Sequence, residues 1–587
     1  MAASGRAFDF KLFKRLLQFT KPYKLTFWFV GISAILVSGF SVLQPILLEK
    51  VIDDSIIPKD YENLIFFISL MGAFLLAEVF FQFSFIYYSN WLGLSVVRDI
   101  RIKLFDKILQ FKMKYFDKSS VGRLTTRAVN DIETISSIFS QGLFTIASDL
   151  LKMIAILGFM FYRSWELTLI VLAVFPLIIY ATRLFQRAMK AAFEEVRAQV
   201  ANLNTFVQER ITGMKIVQLF TREETEDKNF TEINRKHKVA WIKTVWYNSI
   251  FFAVTEMTAS ITIGLIMWYG GLQVLGGGAI TLGLIVAFIR LSQMLFRPLN
   301  QIADKFNTLQ MGMVAANRVF EILDTNASIE DTGNESFENI KGHIVFDNVF
   351  FSYDDSEMVI KGISFEVQPN QTVAIVGATG AGKSTIINLL SRFYEIKAGT
   401  ITVDGKNIKD VPINNLRKSI GVVLQDVFLF ADTIMNNITL NNPLVTEEEV
   451  IQAAKDIGVH SFIMSLPDGY HYNVKERGSM LSSGQRQLIS FLRAYVSNPS
   501  ILVLDEATSS VDSHAEQLIQ NATAKLTQGR TSIVIAHRLA TIKKADVIIV
   551  MDAGHVVEMG NHTTLLKIEN GHYRKLYEVQ FEKEEIL

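Results

Sequence analysis

The chain has 587 residues, no cysteine and equal numbers of basic and acidic side chains, so its formal net charge is zero. Half of the residues are apolar and the mean hydropathy is +0.27, a positive value that indicates membrane segments in a chain long enough for several domains. The absence of a basic excess argues against a general nucleic-acid binder, and the absence of cysteine excludes structural disulfides and thiolate metal sites.

Apolar runs come first in the chain, and all of them lie before residue 300. Each is long enough for the roughly 20 residues that a helix needs to cross a bilayer. Backbone groups in lipid must be paired internally, so we predict that these runs are helices. The predicted spans are residues 26–48, 62–88, 137–162, 166–186, 247–271 and 279–299.

The basic residues between these spans predict which side faces the cytoplasm. Lysine and arginine are abundant in residues 1–25, 89–136 and 189–245. The alternate connections hold few basic residues: Lys59 and the span-flanking Lys50 in the first, Arg163 in the second and none in the third. Because basic connections stay in the cytoplasm, we predict that both termini and the C-terminal domain lie there. The two long inner loops look helical, so the membrane helices are expected to continue far beyond the bilayer.

A change of pattern marks a second domain. Residues 325–341 are polar and predict a linker. From 342 to 587, short β-branched runs such as 373–376 and 532–535 alternate with amphipathic stretches, which indicates an α/β domain with buried strands. The predicted fold class is therefore a six-helix transmembrane domain over 1–324, followed by an α/β P-loop NTPase domain.

A glycine-rich loop in the second domain predicts a nucleotide site. The run from Gly377 to Ser384 reads GATGAGKS and matches GxxxxGK[ST] in full, directly after a predicted strand and before a predicted helix. Backbone amides of such a loop wrap phosphates, the lysine neutralises the β- and γ-phosphates, and the serine hydroxyl binds Mg²⁺. The predicted cofactors are ATP and Mg²⁺, and the loop residues assigned to them are Gly377, Thr379, Gly380, Gly382, Lys383, Ser384 and Thr385.

Two acidic residues end the apolar strand predicted at 501–506. Asp505 is placed to hold Mg²⁺, usually through water, and Glu506 to polarise the water that attacks the γ-phosphate. An apolar strand with acids at its tip is often structural, but after a phosphate-binding loop the same pattern predicts an ATPase.

The segment Leu481-Ser482-Ser483-Gly484-Gln485 resembles the LSGGQ signature of ATP-binding cassette (ABC) proteins. The resemblance implies that Ser482, Ser483, Gly484 and Gln485 bind the γ-phosphate of a nucleotide held by another ATPase domain. It also implies roles for residues that stand in the family's order along the chain. These are Tyr353 stacking on adenine, Gln425 sensing Mg²⁺ and coupling to the membrane domain, Glu476-Arg477-Gly478 touching the partner's inner loops, Asp512 in the D-loop, and His537 contacting the γ-phosphate.

The membrane half resembles ABC exporters as well. Residues 116–131 look like the first inner loop of such exporters and residues 215–224 like the second, while Thr281-Leu282-Gly283 resembles the start of the sixth helix. The family implies short coupling helices near 115–122 and 212–221 that press on the ATPase domains. The chain is identified as a half-transporter of this family, which implies an ATPase coupled to transport.

The same resemblance implies a dimer, because one chain carries one phosphate cradle, one signature and six membrane spans. Two departures from the family pattern bear on the partner. Ser483 replaces the usual second glycine of the signature, and Lys475 replaces a glycine that is common before Glu476. In heterodimeric exporters of this family, one subunit typically carries both an intact catalytic glutamate and a signature altered at this position, and this chain resembles that subunit. A homodimer and a heterodimer therefore both stay open.

The function that the resemblance implies is export or flipping of drugs or lipids. A siderophore-type importer with the same architecture, a peptide exporter and an ATP-hydrolysing membrane sensor are the alternatives. Glu78 and Glu256 fall inside predicted spans, where a carboxylate is costly unless it faces a cavity or a partner, so both are candidates for a cavity that favours cationic amphiphiles. Asp149 and Lys152 are spaced to pair with each other. We expect membrane lipid as surroundings, no nucleic-acid partner, and the bacterial inner membrane as location.

Overall fold

The computed structural model describes residues 9–329, 331, 333–337, 340–354, 357–506, 513–536 and 538–580. Within these, the chain forms two compact units. The first, called the membrane unit, takes residues up to Leu109 and Val121–Thr325. The second, called the ATPase unit, takes Gln110–Ser120 and the chain from Asn326 onward.

The membrane unit is built from long helices. They are α1 (Phe10–Gln18), α2 (Lys24–Val51), α3 (Tyr61–Leu109), α5 (Val121–Thr126), α6 (Ile132–Ser137), α7 (Phe144–Arg163), α8 (Trp165–Thr212), α9 (Met214–Leu219), α10 (Glu223–Leu275) and α11 (Leu282–Asp324), with α4 (Met113–Lys118) belonging to the ATPase unit. Wide helical turns at Arg127–Asp131 and Ile138–Leu143 join α5, α6 and α7 into one continuous segment.

Five stretches of the described chain are long and apolar enough to cross a membrane by length and composition. They are Lys21–Ile56, Tyr61–Leu109, Val121–Arg163, Trp165–Thr212 and Glu223–Leu275. The sixth predicted span, 279–299, falls mostly on α11, whose apolar part Leu282–Phe296 is shorter. The count of six membrane spans stays a prediction.

Side-chain caps fix the starts of two of these helices, and an ion pair joins two of them along their length. Ser164 caps α8 by accepting a hydrogen bond from the backbone of Leu167 at 3.3 Å, and Thr281 caps α11 through Leu284 at 3.2 Å. Asp149 of α7 forms an ion pair with Lys305 of α11. Its charge therefore does not depend on the local pairing with Lys152 suggested by the sequence.

The turn between α10 and α11 packs closely against the end of α2. Arg163 forms an ion pair with the buried Glu49, and Asp53 accepts hydrogen bonds from the backbone of Gly283 at 2.8 Å and from the Thr281 hydroxyl. A β-carbon on Gly283 would lie 2.6 Å from Oδ2 of Asp53 and still closer to the backbone oxygen of Glu49. Glycine is therefore required at this position by close approach.

The ATPase unit contains two sheets. The four-stranded antiparallel sheet has the order β2-β1-β4-β5, from β1 (Ile344–Phe351), β2 (Ile360–Val367), β4 (Ala398–Val403) and β5 (Lys406–Asn407). The six-stranded sheet has the order β10-β9-β3-β8-β7-β6, from β3 (Thr372–Gly377), β6 (Ile420–Val423), β7 (Ile501–Glu506), β8 (Thr531–Ala536), β9 (Val547–Asp552) and β10 (His555–Gly560).

The six-stranded sheet is parallel except for β10. Every residue of β8 is buried, as expected for a strand covered on both faces by helices. The helices of the ATPase unit that follow β3 in the chain are α12 (Lys383–Leu390), α13 (Ile413–Ser419), α14 (Ile434–Thr439), α15 (Glu447–Asp456), α16 (His460–Met464), α17 (Ser483–Val496), α18 (Ser513–Thr527), α19 (Leu539–Lys544), α20 (His562–Leu566) and α21 (His572–Gln580). The helical membrane domain and the α/β NTPase domain predicted from the sequence are both confirmed.

Candidate nucleotide-binding site

The phosphate-binding loop joins β3 to α12 at the carboxyl edge of the parallel sheet. Gly377, Gly380 and Gly382 have φ of +152°, +86° and +98°, a backbone region that side chains other than glycine rarely adopt. A β-carbon on Gly382 would also lie 2.8 Å from Ile360. The glycines of the motif are thus demanded by the backbone path, which turns the loop amides and the start of α12 toward a ligand.

Lys383 is folded back onto this loop. Its ammonium donates hydrogen bonds to the carbonyl oxygens of Gly377 at 2.8 Å and Ala378 at 3.0 Å, and the residue is 8% exposed. Burial lowers the pKa of Lys383, and the nearby Asp505 carboxylate opposes that shift. An anionic phosphate at this position would favour the charged ammonium in the same way.

Residues from three parts of the chain meet at one cavity of about 330 Å³. Gln425 follows β6, and Asp505 lies in β7 two strands away from the loop. The Ser384 hydroxyl donates a hydrogen bond to Oδ2 of Asp505 at 3.2 Å. The cavity is lined by Val359, Thr379, Gly380, Gly382, Lys383, Ser384, Thr385, Gln425 and Asp505. All but Val359 are residues that the sequence assigns to nucleotide or Mg²⁺.

Tyr353 stands between aromatic neighbours beside the loop. Its ring makes edge contacts with Phe351 and Tyr394, with ring centres 4.9 Å apart in both cases. Its hydroxyl shares a hydrogen bond with the Thr385 hydroxyl at 3.2 Å and accepts one from the Asn388 amide at 3.2 Å. The predicted adenine platform is therefore held in place by α12, the helix that follows the phosphate-binding loop.

Tyr394 extends this arrangement to α4. Its hydroxyl donates a hydrogen bond to Oδ2 of Asp117 at 2.6 Å, and α4 is further anchored by the Lys112 amide, which donates to the Ala327 carbonyl at 2.8 Å. Burial and the bond to Asp117 raise the pKa of Tyr394. α4 overlaps the first predicted coupling segment, near 115–122, so a short chain of contacts joins that segment to the predicted adenine platform. Tyr394 belongs to none of the motifs recognised in the sequence.

The signature residues lie elsewhere in the ATPase unit. Ser482 caps α17: its hydroxyl oxygen accepts from the Gln485 amide at 3.2 Å, and the Gln485 side chain accepts from the Ser482 amide at 2.9 Å. Ser482 and Ser483 are exposed, and Gly484 is buried. Among the described residues, none of these four lines the cavity formed by the phosphate loop. The helix start is exposed, so an anion from outside can reach its amides.

The loop before the signature adopts an unusual backbone. Lys475 has φ +60° and ψ −172°, and Arg477 and Gly478 also have positive φ, at 53° and 67°. The conformation of Lys475 is one that glycine adopts almost alone, and it costs another residue about 1–3 kcal/mol. This explains in physical terms why a glycine suits the position that precedes Glu476.

Some predicted residues cannot be placed in the site. Asp512 and His537 lie outside the described residues. Glu506 ends β7, with its backbone paired to Ala536, but its side chain also lies outside the described part. The two carboxylates proposed for a substrate cavity, Glu78 and Glu256, do not line the same cavity. Glu78 lines a cavity of about 400 Å³ in the membrane unit, whereas Glu256 is an exposed residue of α10.

Comparisons with known proteins agree with this geometry. Residues 27–299 match the family of ABC transporter transmembrane regions, and residues 360–509 match the ABC transporter family. This chain is an ABC transporter. It is 36% identical over 98% of its length to the ABC transporter ATP-binding protein YknV of Bacillus subtilis, of which it covers 96%. It is 36% identical over 98% of its length to an ATP-dependent lipid A-core flippase of Syntrophus aciditrophicus, of which it covers 95%.

Two further likenesses concern export. This ABC transporter is 34% identical over 97% of its length to YgaD of Bacillus subtilis, a protein named for multidrug export, of which it covers 99%. A bacterial Atm1-family ABC exporter with ATP bound superposes with a TM-score of 0.75 at 28% identity, covering 94% of this chain and 97% of that one. The chain is therefore an integral membrane ATPase that binds ATP and couples its hydrolysis to export.

Proposed function

We propose that this ABC transporter works as a dimer of half-transporters that exports or flips amphipathic compounds, lipids or drugs, by alternating access. The observation that supports a dimer is the separation of its two nucleotide-binding elements. Lys383 and Ser384 line one cavity, and the exposed helix start at Ser482 stands outside it. A second ATPase domain that offers its own signature would complete the site. The names of the flippase and multidrug relatives support the substrate class.

The residues at the cradle fit Mg²⁺. This cation prefers oxygen ligands and commonly takes one or two carboxylates together with substrate phosphates. Ser384, Asp505 and Gln425 supply a hydroxyl, a carboxylate and an amide oxygen around one cavity. Bound there, Mg²⁺ would neutralise charge on the β- and γ-phosphates. Lys383 would add a second positive charge, Tyr353 would stack on adenine, Glu506 would orient the attacking water, and His537 would contact the γ-phosphate.

The coupling part of the proposal concerns the cytoplasmic loops. Glu476, Arg477, Gly478 and Asp512 would carry the closure of the ATPase domains to the inner loops of the two half-transporters. ATP would stabilise the closed state, the membrane cavity would open outward, and hydrolysis would reset the cycle. We place the transporter in the bacterial inner membrane with the ATPase unit in the cytoplasm.

ATP hydrolysis by the chain expressed alone and reconstituted in lipid tests the dimer. Activity that Glu506→Gln abolishes would support a homodimer in which Ser483 is tolerated. A folded protein that binds ATP but does not hydrolyse it would point to a heterodimer. Ser483→Gly is the matched variant that should then restore hydrolysis. A Glu506→Gln variant that hydrolyses ATP at the parent rate would refute the role given to Glu506.

Transport in inverted membrane vesicles tests the direction. ATP-dependent accumulation of a fluorescent amphiphile inside inverted vesicles is expected for an exporter. ATP-dependent loss of preloaded compound from the same vesicles would instead support the importer alternative.

A further inference from the structure

A polar cavity lies inside the membrane unit, between α2, α3 and α11. Its volume is about 400 Å³. Five of its side chains are polar: Ser41 and Gln44 of α2, Glu78 of α3, and Arg290 and Gln293 of α11. The Ser41 hydroxyl donates a hydrogen bond to the Ser38 carbonyl at 3.1 Å, so the other four are the ones considered below. Glu78 and Arg290 both lie within predicted membrane spans, where ionisable residues are rare and usually face a cavity or a partner.

The two charges of this cavity have no direct partner among the described residues, unlike two other carboxylates of the membrane unit. Glu49 pairs with Arg163, and Asp149 pairs with Lys305. Within the described chain, neither Glu78 nor Arg290 forms an ion pair or a side-chain hydrogen bond, although Lys152 of α7 is within electrostatic reach of Glu78.

The two amides share this condition. Neither Gln44 nor Gln293 donates or accepts a side-chain hydrogen bond within the described residues. One space therefore contains a carboxylate, a guanidinium and two amides, and the protein satisfies none of them through a direct bond. Glu78 and Gln44 are half-buried, and Arg290 and Gln293 are exposed. A half-buried carboxylate without a direct partner is costly, and the exposed groups can be reached by a ligand, so such a set favours a ligand that brings the complementary groups.

The chemistry of that ligand follows from the set. A carboxylate binds an ammonium group, and a guanidinium binds a phosphate or carboxylate through two parallel hydrogen bonds. The amides can donate to phosphate oxygens or accept from hydroxyls. Met71 and Met294 complete the wall, and methionine adapts its shape to varied apolar groups.

We propose that this cavity binds the zwitterionic head group of an amphipathic substrate, with its cationic end at Glu78 and its anionic end at Arg290. The inference rests on the proposed export of amphipathic compounds and names the substrate class. It replaces the expectation of cationic amphiphiles drawn from Glu78 and Glu256, because a cation at Glu78 leaves Arg290 unpaired and an anion at Arg290 leaves Glu78 unpaired.

Transport by the reconstituted full-length assembly tests this head-group preference. Three fluorescent amphiphiles with the same chains and dye would carry a phosphocholine, an ammonium or a phosphate head. The parent protein should transport the phosphocholine probe about tenfold faster than either singly charged probe, since a hydrogen bond to a charged group is worth at least that factor. Glu78→Gln should shift the preference toward the phosphate probe by about tenfold, and Arg290→Gln toward the ammonium probe.

The control is Glu62→Gln, the same chemical change at an exposed residue on the same helix as Glu78. It should leave the order of the three probes unchanged. A single variant that keeps one charge unpaired can fail to fold. In that case the double variant Glu78→Gln with Arg290→Gln removes both charges, and it should transport all three probes without preference.

The outcomes separate this inference from the proposed function. Equal transport of all three probes by the parent protein would overturn the head-group inference and leave amphiphile export standing. Equal loss of all three probes in the two single variants would show a structural role and would also overturn it. ATPase activity that is sensitive to Glu506→Gln but moves none of the probes would overturn the proposed function and this inference with it. Competition by soluble glycerophosphocholine as strong as that by the phosphocholine amphiphile would show that the chains are not recognised.

Discussion

The contact between Tyr394 and Asp117 predicts a variant that separates ATP hydrolysis from transport. Tyr394→Phe removes one hydroxyl and keeps the ring that lies against Tyr353. The lost bond is a hydrogen bond to a charged group, worth about 1.5–3 kcal/mol when buried. Asp117 is exposed, so we take about 1 kcal/mol, which corresponds to roughly a fivefold weaker docking of α4.

We expect nucleotide affinity to stay close to that of the parent protein, because Tyr353 keeps its hydrogen bonds to Thr385 and Asn388. Transport per ATP hydrolysed should fall by about fivefold, because α4 is docked on the rest of the ATPase unit for a smaller share of the time. The assay measures phosphate release and probe transport in the same proteoliposomes. Asp117→Asn is the matched control, since its amide oxygen still accepts the bond, and its effect should be smaller.

The pH dependence of this coupling has a definite sign. A tyrosine whose pKa is raised in the folded protein keeps its proton to higher pH than a free tyrosine. The bond from Tyr394 to Asp117 is therefore fully present below the ordinary tyrosine pKa, and it is lost only as the pH rises through the raised pKa of Tyr394. Transport per ATP should therefore not change through loss of this proton between about pH 6 and 9. Tyr394→Phe with the same transport per ATP as the parent protein would refute the proposed coupling route.

Two further predictions concern backbone positions. Gly283→Ala places a β-carbon against Asp53 and the backbone of Glu49, so we expect the free energy of unfolding to fall by about 1–3 kcal/mol. The measurement is the midpoint of thermal unfolding, which should be lower than in the parent protein. An unchanged midpoint would mean that the α10–α11 turn does not pack as described. Lys475→Gly relieves a backbone conformation that costs about 1–3 kcal/mol and should raise the midpoint of unfolding of the ATPase unit, whereas a lower midpoint would show that the lysine side chain stabilises the loop.

The sequence predicted those parts of the site that are local. The phosphate loop needs glycines at fixed spacing between a strand and a helix, so the strand–loop–helix arrangement at Gly377–Ser384 could be recognised from neighbouring residues alone. The family and both fold classes were predicted correctly for the same reason. Asp505 was assigned because it ends an apolar strand that follows a phosphate-binding loop in the chain, and the structure places it beside Ser384.

Contacts between distant residues could not be predicted in this way. Asp117 and Tyr394 are separated by 277 positions, and neither belongs to a motif that names the other. Arg290 is charged within a predicted span, which is a signal that sequence reasoning applied to Glu78 and Glu256 but not to this residue. Its meaning depends on the packing of α11 against α3, which no local pattern records. That packing changes the inferred ligand from a cation to a zwitterion.

The two cavities differ in how their charges are satisfied, and this difference bears on what each ligand must do. In the ATPase unit, Lys383 already donates to two carbonyls and Ser384 to Asp505, so ATP and Mg²⁺ must exchange existing bonds for new ones. Such a site is held in shape before the nucleotide arrives, and in the proposed dimer the binding energy would be available to draw two ATPase domains together. In the membrane unit, Glu78 and Arg290 have no such bonds within the described chain. A ligand there gains the full interaction with both charges only while the cavity exists, so it favours the conformation that contains the cavity. A change of conformation that pulls α3 and α11 apart would remove one of the two contacts and release the ligand, which is the property that an exporter needs of its substrate site.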